Sequence, residues 1–361
     1  MAKSVYIHIP FCKQKCKYCS FVSFPCVEEA TNYVSALLNE INNNYKGEYL
    51  DTLYFGGGTP SLLKANLLEK IISKFNLAQN CEITLELNPD DADLNYLSTL
   101  HQVGINRLSI GSQAFDDEIL KHIGRRHNSR QIIEAVNFAQ KAGFKNISLD
   151  LIYGLPNQTV EKLKQDLKII TDLNIQHIST YGLKIEEDSL WGKNPPENIP
   201  DDDSQADMYL LINNYLETKG YKRYEISNFS LKNYESRHNL NYWNNNEYYG
   251  FGVAAHGYID NIRYSNCNTL KEYIDNPNQH ANCHVQTEIE KLEEEIFLGF
   301  RKESGIDSTA ISKKFGIDFE TKYKNALKKF IPNYIIKTPQ GYKLSIDGVL
   351  LSNNILAEFL E

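Results

Sequence analysis

This sequence predicts an α/β fold of repeated strand–helix units with a small α+β domain at its C-terminal end. Three observations carry the prediction. Short β-rich runs alternate with longer helical patterns to about residue 229, chemically unusual residues gather at the C-terminal ends of those runs, and the pattern turns mainly helical after about residue 285.

The strand candidates, in order, are VYIHIPF (5–11), TLYFGGG (52–58), EITLELNP (82–89), RLSIGSQ (107–113), ISLDLIYGLP (147–156), HISTYGL (177–183) and YKRYEISNF (221–229). Their β-branched and aromatic content, with Gly or Pro at their ends, fits strands buried in a parallel sheet. Between them, RQIIEAVNFAQKAGF repeats apolar side chains at helical spacing (Ile132, Ile133, Val136, Ala139) and stops at Gly143, and VEKLKQDLKIITDLN does the same with Leu163, Leu167 and Ile170. Such units build either an open doubly wound sheet or a complete or partial (βα) barrel. Cysteines follow the first strand and glycines the second, Glu86 and Asn88 end the third, Gln113 ends the fourth, and Asp150 sits late in the fifth. Functional groups at successive strand ends are what a barrel mouth provides, and this selects the barrel.

A Pro- and acid-rich linker, GKNPPENIPDDDS, precedes the helical QADMYLLINNYLETKG. The stretch RHNLNYWNNNEYYGFGVAAHGY (237–258) is too Asn- and Gly-rich for regular structure and too aromatic for a disordered linker, so an ordered loop against the first domain is expected. The helical EIEKLEEEIFLGFRK, TAISKKFG and ETKYKNALKKFI then lead to a hairpin in YIIKTPQGYKLSI, turning at Pro339 and Gly341. The expected division is a core over 1–229, a connecting region over 230–285 and a winged-helix-like domain over 286–361.

Composition narrows the function classes. The 361 residues, 42 % apolar, suffice for one large domain with an appendage or two ordinary domains. No run approaches the ~18 apolar residues of a membrane span, and MAKSVYIHIPFC does not read as a signal peptide, so the expected compartment is the cytoplasm. A formal charge of −8 argues against general polyanion binding. Seven lysines against two acids between Lys313 and Lys337 raise a nucleic-acid reading, but a solvated lysine face is preferred and no nucleic-acid partner is expected.

Seven cysteines, an odd number with three of them in CKQKCKYC, do not form a disulfide framework. Cys12, Cys16 and Cys19 leave two metal readings open. His8 or Cys26 could close a zinc site; alternatively, three thiolates hold an iron–sulfur cube and leave one iron open to a substrate or cofactor. Gly56, Gly57 and Gly58 in YFGGGTP let a ligand approach the backbone closely, without the pattern of a phosphate loop. Glu86 and Asp150 are acceptors suited to ribose hydroxyls, and Arg125 in GRRH either grips a carboxylate in fork geometry or stands solvated.

CKQKCKYC, C-x3-C-x2-C with an aromatic residue before the last cysteine, resembles the signature of the radical S-adenosylmethionine (SAM) superfamily. YIHIPFC, YFGGGTPSLL, ITLELNPDD, RLSIGSQAFDDEIL, LDLIYGLPNQT and GFGVAAHGY extend the resemblance over nearly the whole chain. They narrow it to the subgroup of oxygen-independent coproporphyrinogen III dehydrogenase and its heme-chaperone relatives. The resemblance implies a partial (βα) barrel of six βα units with a small C-terminal winged-helix-like α+β domain. It also implies a [4Fe-4S] cluster on Cys12, Cys16 and Cys19, with SAM on the open iron. Carried over by motif, Tyr6, Gly57 and Glu86 would contact that SAM, and the subgroup's further SAM positions fall on Tyr18, Gly58, Thr59, Gln113, Arg125 and Asp150.

Two features point to the chaperone branch. The dehydrogenase pattern has a further cysteine two residues after the third, where this sequence has Phe21, and it has an N-terminal extension where Tyr6 stands almost at the start. HNLNYW (238–243) is similar to the H-N-x2-Y-W pattern associated with heme binding in that branch. It implies His238 as an axial ligand, with Tyr242 and Trp243 against the porphyrin; the competing reading is a histidine that hydrogen-bonds its own loop. His256 in AAHGY is a second ligand or structural, His8 a hydrogen bonder beside the cluster, and Cys26, Cys81, Cys267 and Cys283 ordinary small residues. The implied function is a heme chaperone serving acceptor hemoproteins, respiratory ones among them, with a homodimer and peripheral membrane association as further implied states. The alternative is coproporphyrinogen III dehydrogenation.

Overall fold

A computed structural model of the protein describes residues 1–360. Six parallel strands, β1 (Ser4–Ile9), β2 (Leu50–Gly57), β3 (Leu77–Leu87), β4 (Arg107–Gln113), β5 (Ile147–Tyr153) and β6 (His177–Gly182), are each followed by helix. They lie in chain order in one sheet, the arrangement of a partial (βα) barrel with six βα units. The helix Ser129–Lys141 forms as its sequence implies. Asn128 and Gln131 close a capping box at its start, Ile132, Val136 and Ala139 face the core, and Gly143 follows its end with φ +102°.

The stretch 221–229 is not one parallel strand. It splits into β7 (Lys222–Arg223) and β8 (Asn228–Ser230), which pair antiparallel with each other, while β8 pairs antiparallel with β6. The buried carboxylate of Glu225 makes the turn between them, accepting from Ser227 N at 3.1 Å and from the Asn228 side chain. Nor is 237–258 an irregular loop. Ser236 caps a helix, Arg237–Trp243, that carries the HNLNYW segment; Asn245 ends that turn with φ 50°, and β9 (Tyr249–Phe251) pairs parallel with β1 at the other edge of the sheet. The asparagines that suggested a loop are the helix stop.

β10 (His256–Ile259), β11 (Ile262–Asn266) and β12 (His280–Val285) form a separate antiparallel sheet. The C-terminal part follows with the helix Glu288–Phe300, β13 (Ile306–Asp307), the helix Ser308–Phe315, two short helices, and the hairpin of β14 (Ile335–Lys337) and β15 (Gly341–Leu344). Helices followed by a three-stranded wing are the winged-helix order, here around a core of its own with Ile296, Phe300, Phe319, Ile335 and Phe359. Tyr209, from a helix of the α/β body, packs into that core and donates to Ile226 O at 2.9 Å. In the lysine-rich segment, Lys314 and Lys329 pair with Glu295 and Glu358 at 2.8 Å. Among the described residues no helix is long and apolar enough to cross a membrane.

Candidate functional site

The cysteine segment is a loop whose two ends are stitched together. Phe11 is fully buried, Cys12 N donates to Phe24 O at 3.0 Å, and Phe24 N returns to Pro10 O at 2.6 Å. Lys17 N donates to Ile123 O at 3.1 Å, and Trp191 N to Lys17 O at 3.0 Å, so segments after β4 and β6 hold the loop over the strand ends. Beneath it lies a cavity of about 390 Å³. The walls bring together Cys12, Cys16, Cys19, Tyr18, Gly57, Gly58, Thr59, Glu86, Gln113, Arg125 and Asp150, with exposed Phe21 at the mouth.

The glycine run needs to be glycine. Gly57 has φ +112°, and a Cβ there would stand 2.6 Å from the His8 ring; at Gly58 it would stand 2.7 Å from Phe11 O. This leaves the backbone of β2 bare toward the cavity. Gly57 N donates to Glu86 Oε2 at 3.1 Å and Tyr54 OH to Glu86 Oε1 at 2.9 Å, fixing the carboxylate. Burial raises the Glu86 pKa to about 7 against the pull of Tyr54, and burial also raises that of Asp150, which accepts from Ser109 Oγ at 3.2 Å. Gln113, nearly buried, holds φ 66°, a left-handed conformation that a non-glycine residue adopts at a cost of about 1–3 kcal/mol and that clusters at functional sites.

Arg125 ties these elements together. Its Nη2 donates to Asn88 Oδ1 and Gly111 O, both at 2.7 Å, and its Nη1 reaches Cys16 Sγ at 3.5 Å, while its buried Nε has no hydrogen-bond partner among the described residues. Thr59 Oγ1 links Cys12 Sγ at 3.2 Å to Asn88 Nδ2 at 3.1 Å. Ser109, Tyr54 and Trp191 therefore shape the site without having been singled out from the sequence, and Asn88, named there at the end of the third strand, joins the wall through Arg125 and Thr59. Alternation along TLYF and ITLELNP places Tyr54 and Asn88 on the same side as the glycines and Glu86, but Trp191 gives no local signal because it reaches the loop from a distant segment.

Two expected residues stand elsewhere. Tyr6 lies behind the cavity, its OH on His8 Nδ1 at 3.1 Å and its ring stacked on Tyr54 at 6.1 Å. His238 is 1 % exposed, with Nδ1 on Thr52 Oγ1 and Nε2 on Tyr242 OH, both at 2.8 Å, and its ring stacked 4.9 Å from Tyr54. Burial pushes its pKa down to about 3. Both ring nitrogens are engaged in this structure, and His238 locks its helix to β2.

The donor set suits a cluster better than a single ion. His8, the residue that could close a zinc site, turns Nε2 to Val22 O at 2.9 Å and Nδ1 to Tyr6 OH at 3.1 Å. Three free cysteines share one wall, beside the partnerless Arg125 Nε and a glycine cradle that a Cβ would fill. Those are the requirements of a three-thiolate cluster with a polar ligand at its open corner.

Comparison with known proteins extends this. Residues 6–170 match the radical SAM superfamily and residues 286–351 the HemN C-terminal domain. The chain is 36 % identical to a protein named heme chaperone HemW from Lactococcus lactis, covering 99 % of this chain and 97 % of that one. It belongs to the HemW family of the radical SAM superfamily. The Bacillus subtilis HemW is 35 % identical over 99 % of both chains, and the Escherichia coli one 39 % identical over 71 % of this chain and 70 % of its own. The fold is that of coproporphyrinogen III oxidase (HemN) from Escherichia coli, with TM-score 0.87, 23 % identity, and coverage of 99 % of this chain and 89 % of that one.

Proposed function

We propose that this chain is a heme chaperone: it binds heme and passes it to acceptor hemoproteins, and it carries a [4Fe-4S] cluster and SAM at the strand-end cavity. The observation that carries the reading is the match to heme chaperones along 99 % of the chain, from the cysteine loop through the C-terminal domain. Phe21 supports it from the structure. It stands 65 % exposed at the cavity mouth, where the dehydrogenase pattern would bring a further thiol.

Cys12, Cys16 and Cys19 would hold three irons of the cluster, and Gly57, Gly58, Thr59, Glu86, Gln113, Arg125 and Asp150 would hold SAM. When bound, the pair supplies a low-potential electron to a sulfonium. The chain's own part is positioning. Gly57 and Gly58 present bare backbone, Glu86 and Asp150 present acceptors, Arg125 keeps Cys16 registered against β3 and β4, and the segment around Trp191 covers the loop from behind. Tyr6 supports this floor through Tyr54, and Tyr18 closes its side against Trp191, ring to ring at 6.3 Å.

The reading is tested by giving the anaerobically reconstituted protein SAM, a reductant and either coproporphyrinogen III or heme. The chaperone reading expects saturable heme binding with coproporphyrinogen III left intact. Consumption of coproporphyrinogen III with release of carbon dioxide, and no heme bound, would replace it by the dehydrogenase.

A further inference from the structure

Three consecutive residues of the GRRH segment reach three different anchors. Arg125 reaches Asn88 and Gly111 O, and Arg126 pairs with the Asp90 carboxylate just past β3. His127 turns inward: it is 4 % exposed, and its ring Nε2 donates to Ser112 O at 3.2 Å. A carbonyl only accepts, so Nε2 carries the proton and Nδ1 is the bare nitrogen. Burial lowers the His127 pKa to about 3, with the Arg125 guanidinium adding to the effect, so the ring is neutral. The backbone is fixed on both sides of the ring. Arg125 N donates to Leu120 O at 2.9 Å, and Asn128 caps the helix Ser129–Lys141.

Ser112 O is the carbonyl that leads into Gln113, whose φ of 66° is left-handed. Ala114 N donates to the same oxygen at 2.9 Å, and Ser112 Oγ donates to Asp150 O on β5 at 2.7 Å. The register between β4 and β5 shifts here, between Ile110 and Gln113. A left-handed residue at an interrupted strand end has no regular ladder to hold it, so its conformation depends on the groups that grip its neighbours. His127 is the one of those groups that comes from outside the two strands.

Gly111 shows what the grip achieves. A Cβ there would stand 2.9 Å from Gln113 Nε2 and 3.1 Å from Arg125 Nη2, so the amide and the guanidinium lie side by side over the bare backbone of that glycine. Both line the strand-end cavity. His127 stands behind them, on a cleft of about 20 Å³ that shares Cys16, Thr59, Asn88 and Arg125 with the cavity wall.

We infer that His127 is a positioning residue of the SAM site: by holding Ser112 O it keeps Gln113 in its left-handed turn, beside Arg125, so that two donors face the cavity as a pair. The inference rests on the SAM-binding reading above and says what sets up two of its contacts. The ring touches no ligand and transfers no proton; its N–H acts through the backbone of β4.

The test is SAM binding to the anaerobically reconstituted full-length protein by equilibrium dialysis, with cluster iron measured alongside and the electron paramagnetic resonance of the reduced cluster recorded with and without SAM. Wild type, His127→Leu, His127→Asn, His127→Gln, Gln113→Ala and the double variant His127→Leu with Gln113→Ala are compared. His127→Leu removes the ring N–H and His127→Asn is too short to replace it; each should weaken SAM binding about tenfold at wild-type iron content and diminish the change that SAM makes in the resonance. His127→Gln, whose amide N–H reaches about as far as Nε2, should return affinity to within about threefold of wild type. Because His127 acts through Gln113, the double variant should bind SAM within about twofold of the weaker single variant. Wild-type affinity in His127→Leu and His127→Asn, failure of His127→Gln to restore binding, a double loss equal to the product of the single losses, or loss of iron together with SAM would each overturn the inference and leave the SAM site standing. Absence of SAM binding in reconstituted wild type would remove the SAM reading and the inference with it.

Discussion

Glu40 sits under the segment that leads to His256, and its charge gives the fold a measurable pH dependence. The carboxylate is 1 % exposed and accepts from Gly252 N at 2.9 Å, Asn266 Nδ2 at 2.7 Å and Tyr273 OH at 2.5 Å. Neighbouring Tyr33 donates to His8 O at 2.6 Å and accepts from Val253 N at 3.2 Å, so one helix clamps the 250s segment to β1. Burial raises the Glu40 pKa from 4.5 to about 7, against the three hydrogen bonds that favour the anion. Between those values the folded protein keeps a proton that the unfolded chain has lost, so stability falls as pH rises from about 4.5 and levels off above about 7. At about 1.4 kcal/mol per pH unit, Glu40 alone removes about 2.5 kcal/mol between pH 5 and pH 8. Glu40→Gln cannot ionise. It carries a constant penalty for turning an amide N–H₂ toward one of the three donors, but that penalty does not vary with pH. Urea unfolding of both proteins at pH 5 and pH 8 isolates the difference, because Glu86, Asp166 and Glu225, all raised to about 7 by burial, contribute equally to each. Wild type should lose about 2.5 kcal/mol more than Glu40→Gln over that range. Parallel profiles, within about 0.5 kcal/mol, would refute the buried-anion account of the clamp.

Three further outcomes are expected. Gly57→Ala forces φ +112° on an alanine and drives its Cβ into the His8 ring, so it should cost about 2–4 kcal/mol in urea unfolding and abolish SAM retention in equilibrium dialysis. Arg125→Lys keeps one charge but cannot join Asn88 Oδ1, Gly111 O and Cys16 Sγ at once; reconstituted iron content should stay at wild-type level while SAM affinity falls about tenfold, or about 1.4 kcal/mol. His238→Ala strands the buried hydroxyls of Thr52 and Tyr242 and removes the stack on Tyr54, which should cost about 2–5 kcal/mol in thermal or urea unfolding.

The parallel core was legible because β1 to β5 each contain a short apolar run with a residue of special chemistry at or near its end, and because the intervening helices carry apolar stripes of normal period and capping signals such as Asn128 with Gln131. The cavity wall was legible for the same reason. Strand ends in a barrel converge, so Gly57, Glu86, Gln113 and Asp150 had to meet wherever the strands did. What the pattern missed is long-range or capping in origin. Ser236 starts a helix and Asn245 stops it within a segment whose overall composition suggests a loop, and Glu225 breaks a β-rich run by folding its carboxylate onto Ser227 and Asn228. His238 shows the limit most clearly. A motif names the residue, but only the packing of Thr52, Tyr54 and Tyr242 around it shows both ring nitrogens engaged.

The central claim, that this chain carries heme for other proteins, is tested most directly by handover. The anaerobically reconstituted protein is loaded with one heme, mixed with an apo-hemoprotein acceptor, and the two are separated after incubation. The account predicts saturable loading and transfer of heme to the acceptor faster than free heme reaches it in the presence of a competing heme scavenger. Heme that never loads, or that loads and reaches the scavenger rather than the acceptor, would contradict it.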